Sequence, residues 1–144
     1  MRVPGGAGRA RAPYSAGGVP ARGRGDEMIE TMSDCPLDLE EALGRTGGDR
    51  EFLRELLEML AEDVPARIAA IRRALAQGDA ETVRAEAHTL KGAAANLAAR
   101  QMADLALDVE NRGRTGALDD VEALAGRLER EGERIAAFAR SLGP

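Results

Sequence analysis

Residues 52–75 read FLRELLEMLAEDVPARIAAIRRAL. Phe52, Leu53, Leu56, Leu57, Leu60, Val64, Ile68, Ile71 and Leu75 recur at spacings of three and four. That period puts one buried apolar stripe along an α-helix, where a strand would alternate. Asp49 is placed to cap the start of this helix and Gly78 to end it. Pro65 falls inside and cannot donate to the helical ladder, so a kink or a restart is expected there.

The same grammar extends on both sides. Upstream, Asp38 and Glu41 form a D-x-x-E capping box with Leu37 as a hydrophobic staple, opening the short helix LEEALGRT that Gly47 and Gly48 stop. Downstream, Asp79 caps a helix over about residues 80–98 whose seam is Val83, Ala87, Leu90, Ala94 and Leu97. The next helix turns Met102, Leu105, Ala106 and Val109 inward and stops at Gly113. The last begins near Asp119, uses Val121, Leu124, Leu128, Ile135, Phe138 and Leu142, and is weakened locally by Gly126 and Gly132. Four such helices with short connections bury their stripes by packing against each other in alternating directions. The expected fold is therefore all-α: an antiparallel up-down four-helix bundle over residues 36–144, with a short extra N-terminal helix.

Composition agrees. Hydrophobic residues make up 44% of the 144, but aromatics only 2% and tryptophan is absent, so the core must be Leu, Ala, Val, Ile and Met. The formal charge of −5 is unevenly spread: residues 1–25 hold five arginines and no acid, and the remainder is strongly acidic. An acidic body argues against nucleic acid as the partner. No apolar run approaches the length that spans a membrane. A single cysteine, Cys35, forms no internal disulfide, which suits a reducing cytoplasm. The opening MRVPGGAGRARAPYSAGGVPARGRG lacks a hydrophobic period, and residues 1–35 are expected to be a disordered tail or an overlong predicted start, with translation beginning at Met28 or Met32.

The chemistry points to residues 86–97, EAHTLKGAAANL. They contain the only histidine and the only lysine, three places apart; the other nineteen basic residues are arginine. With the apolar seam at zero, His88 lies about 140° round the helix, on its outer side. Arg84, Lys91, Ala95 and Gly92 share that side, at about 100°, 80°, 120° and 180°. Gly92 in mid-helix costs about 1 kcal/mol against alanine, and with Ala95 it leaves the imidazole clear for another molecule. Arg84 and Lys91 make the patch positive. A compact ammonium on a flexible stem suits a phosphoryl group in transit, and a neutral imidazole attacks phosphorus through one ring nitrogen. The hairpin turn centred near Ala99 puts Glu110 level with His88, where its carboxylate would accept the other ring N–H and fix the tautomer.

HTLKG followed by AAANL resembles the H-x-L-K-G signature of the histidine-containing phosphotransfer (HPt) domain of two-component phosphorelays, and the resemblance extends over about residues 37–142. It implies a phosphorelay signalling protein: His88 accepts a phosphoryl group from a receiver-domain aspartate and passes it to another receiver. Lys91 then stabilises charge, Gly92 gives clearance for docking beside Arg84 and Ala95, and Glu110 stands where the family often carries Gln or Glu. The family commonly has glycine where this chain has Ala98, which leaves the approach at the end of that helix open. The chain has no P-loop, only one histidine with its one cysteine some fifty residues away, and no kinase dimerisation motif, so it is expected to be no enzyme of its own and to hold no metal or cofactor. Its partners would be receiver domains of response regulators or hybrid kinases, which supply Mg²⁺; neither nucleic acid nor membrane is expected, and a monomer suits one accessible histidine. The alternative is a helical binding module that docks or sequesters a receiver without chemistry.

Overall fold

The computed structural model describes residues 35–142, which form α1 (Leu39–Arg45), α2 (Arg50–Gln77), α3 (Ala80–Asn96), α4 (Arg100–Thr115) and α5 (Val121–Leu142), with no strand among the described residues. The expectations for the tail lie outside them, apart from Cys35. Three aspartates start three helices. Asp38 accepts from the Glu41 backbone N–H at 3.1 Å, Asp49 from that of Phe52 at 2.9 Å, and Asp79 from that of Thr82 at 3.0 Å. The capping box at Asp38 is only half made. Its own N–H donates to the Ala98 carbonyl at 3.0 Å, while the Glu41 carboxylate binds Arg45 and Arg100 instead.

The four long helices form a ring in which α3 packs on α4 and α2 on α5, and the α2–α3 and α4–α5 contacts close it. Pair contacts give the directions. Val64 meets Gly132 while Arg72, two turns on, reaches back to Glu122, so α2 and α5 oppose. Arg84 meets Gly113 and His88 meets Glu110, so α3 and α4 oppose as well. Leu53, Leu57, Ile68, Ile71, Leu90, Met102, Leu128 and Ile135 are fully buried between them.

Three expectations change. α2 runs unbroken through Pro65 rather than restarting, because Leu60, Val64, Ile68 and Ile71 are buried on both sides of it and that burial outweighs the roughly 3 kcal/mol a mid-helix proline costs. Phe52 is not part of the buried stripe: it is 46% exposed, about 100° round the helix from Leu53, and with Leu56 and Met59 it lines an open groove toward Ala93 and Leu97. Gly113 does not stop α4, which continues to Thr115 and ends at the left-handed Gly116.

Gly113 is instead a point of close approach. A Cβ built there would lie 2.6 Å from the Arg84 backbone nitrogen, 2.8 Å from its Cα and 2.9 Å from the Ala80 carbonyl oxygen. Backbone cannot step aside as a flexible side chain can. Gly113→Ala is therefore expected to destabilise the bundle by about 1–3 kcal/mol in urea unfolding, the range for overpacking. Wild-type stability would show that the two helices separate without cost. At the hairpin's other end the chain reverses through Ala98 at φ +58°, a left-handed conformation that costs an alanine roughly 1–2 kcal/mol and that glycine adopts freely. The turn therefore keeps the backbone geometry of a glycine position with alanine in it.

Candidate functional site

His88 stands on the outer flank of α3 with its side chain 60% exposed. Beneath it lies Glu110 of α4, only 2% exposed and among the largest fully buried side chains. His88 Nδ1 is 3.0 Å from Glu110 Oε2. The close approach at Gly113, one turn along α4, holds the two helices near enough for this bond. Lys91, one turn after His88, brings Nζ to 2.8 Å from Glu110 Oε1.

A buried carboxylate would ordinarily titrate high. Here the Lys91 ammonium, helped by His88, overrides burial and holds Glu110 down to about 2. Glu110 is thus ionised at any pH a cell maintains, and an ionised carboxylate only accepts hydrogen bonds. The proton between the two groups belongs to Nδ1. In the neutral ring that fixes the tautomer and leaves the lone pair on Nε2, the ring nitrogen away from Glu110.

The structure therefore brings His88, Lys91 and Glu110 together. It does not bring the Arg84 guanidinium into the cluster; that group is held by Glu81 of its own helix at 3.0 and 2.5 Å. Gly92 and Ala95 are exposed, and a Cβ on Gly92 would meet nothing within 4 Å. The Ala95 carbonyl accepts from Arg45 at 2.7 Å. Sequence reading missed Arg114, whose Nη2 is 2.9 Å from Glu110 Oε2 and whose Nη1 is 2.6 Å from Asn111 Oδ1. Its signal was available as an i, i+4 acid–base pair on one helix.

A model of the Hpt domain family matches residues 55–138, more than half the chain. The chain belongs to the Hpt domain family. Hpt domains serve histidine phosphotransfer in phosphorelay signalling and interact with receiver domains of two-component systems. Two solved structures are similar. Histidine-containing phosphotransfer protein B (HptB) from Pseudomonas aeruginosa PAO1 is 26% identical with a TM-score of 0.67, covering 74% of this chain and 92% of its own. The HPT domain of a sensor hybrid histidine kinase from Shewanella shares the fold at 21% identity and a TM-score of 0.61, covering 76% and 94%. No curated protein matches the chain. Among the described residues of this Hpt domain no helix is long and apolar enough to cross a membrane.

Proposed function

We propose that His88 is the phosphorylated residue of this Hpt domain, taking the group from a receiver aspartate through Nε2 and passing it to a second receiver. The observation that carries this reading is the pairing of an exposed imidazole with a buried, ionised carboxylate on Nδ1. The carboxylate keeps the proton on one nitrogen and so keeps a lone pair on the other, where a partner can reach it. As the N–P bond forms the ring becomes cationic, and the Nδ1–H bond to Glu110 becomes charge-assisted at that moment. Lys91 keeps Glu110 ionised and adds positive potential beside the incoming phosphoryl group.

The receiver brings the phospho-aspartate and Mg²⁺; this chain brings the nucleophile and has no kinase activity of its own. The protein acts as a cytoplasmic monomer, and the face of α3 around Gly92, with Arg84 and Ala95 at its margins, meets the receiver. Mixing the protein with a phosphorylated receiver and following label transfer tests the relay. The docking face has its own test in Gly92→Ala. The methyl group meets nothing within the chain, so this change raises stability by up to about 1 kcal/mol through helix propensity alone. Transfer is expected to slow in the same variant, because the methyl group occupies the clearance beside His88. A stabilised protein that transfers at the wild-type rate would remove Gly92 from the docking face.

A further inference from the structure

Glu110 has more donors than oxygens. Lys91 holds Oε1 alone, while His88 and Arg114 share Oε2, at 3.0 and 2.9 Å. One carboxylate thus faces two full cations, and with a neutral ring the cluster carries an excess positive charge before any phosphoryl group arrives. The two cations are held differently. Lys91 is 31% exposed and has an oxygen to itself. Arg114, in the last turn of α4, is 54% exposed, and its other side-chain bond goes to Asn111 of the same helix.

We infer that Arg114 is the mobile cation of the site, resting on Glu110 in the unphosphorylated protein and moving to the phosphoryl oxygens once Nε2 carries them. The inference rests on His88 being the acceptor. During transfer the Nε2 lone pair forms the N–P bond as the P–O bond to the receiver aspartate breaks, and that bonding pair leaves with the aspartate carboxylate. The ring keeps its Nδ1 proton and becomes cationic, so it binds Oε2 more tightly and weakens the claim of Arg114 on the same atom. At the same moment negative charge appears on the ring's other edge, and a guanidinium fork suits phosphoryl oxygens. Both changes push Arg114 one way. Neither touches Lys91, whose oxygen His88 does not use.

Phosphoramidate gives a test independent of any receiver, since it phosphorylates an accessible imidazole directly and His88 is the only histidine. The intact protein, Arg114→Ala, Arg114→Lys and Lys91→Ala are phosphorylated in this way and titrated by ³¹P NMR. Loss of the cation that binds the phosphoryl group raises the midpoint of its last ionisation. Arg114→Ala is expected to raise it by about one pH unit, a tenfold change, with Arg114→Lys recovering most of the difference and Lys91→Ala giving a smaller rise. Equal titrations in wild type and Arg114→Ala, or the larger shift in Lys91→Ala, would overturn the inference. Transfer from a phosphorylated receiver is run alongside: its failure with a normal ³¹P difference counts against His88 as the relay residue while leaving Arg114's contact with the phosphoryl group in place.

Discussion

His88→Gln is expected to abolish label transfer from a phosphorylated receiver. Glutamine approximates the length of the imidazole and can accept from or donate to Glu110, but its amide nitrogen has no lone pair available for attack on phosphorus. The side chain is 60% exposed, so the substitution removes little packing and folding should be retained. The expected result is a folded protein that still meets the receiver and takes no phosphate. Since no second histidine exists in the chain, another imidazole cannot substitute. Label retained by the variant would move the acceptor to a different kind of side chain and end the assignment. A complex whose formation and downstream effect are both unchanged by the substitution would favour the pure docking module.

Glu110→Ala is expected to have the next largest effect, on two observables. Removing the acceptor frees the imidazole to change tautomer and orientation, and a loss of about 10–100-fold is expected, the range known for carboxylate partners of metal-ligating imidazoles. Glu110→Gln keeps an acceptor oxygen and should lose less. The second observable is acid stability. Glu110 titrates near 2 in the fold against an ordinary 4.5, so its favourable interactions are complete above about pH 4.5 and are lost as the pH falls toward 2. A shift of that size corresponds to about 3 kcal/mol at neutral pH. Urea unfolding of wild type should therefore lose stability across that window more steeply than Glu110→Gln does. Parallel pH profiles would mean that Lys91 and His88 gain nothing from the carboxylate, and an unchanged transfer rate in Glu110→Ala would reduce it to a buried counter-ion.

Periodicity located the helices because each stripe has a single environment to bury itself in. Four of the five expected seam residues are buried in α3 and the fifth, Leu97, is buried as its C-cap, and the caps at Asp38, Asp49 and Asp79 stand where a short polar side chain precedes an apolar run. Glu110 was legible for a geometric reason: in a tight hairpin, residues equally far from the turn lie level. Gly113 was not, since a glycine three residues before another glycine reads as a stop, and only the partner backbone reveals it as a close approach. Phe52 failed for a similar reason, as its spacing fits the stripe but its angle puts it past the edge. Arg84 and Lys91 were both placed beside His88 as available charge. Glu81 holds the first and Glu110 the second, because spacing predicts which side a cation occupies and not which anion on that side it will choose.

The sealed position of Glu110 under an open ring separates two tasks that surface chemistry would mix. If His88 is the acceptor, as proposed, a visiting receiver touches the imidazole, whose side chain is 60% exposed, but not Glu110, which is 2% exposed, so every visitor meets the same prepared ring. On that proposal, preference for one signalling partner over another falls to the outer skin of α3 and its neighbours. That skin can be rewritten by substitution while the reactivity beneath stays as it was.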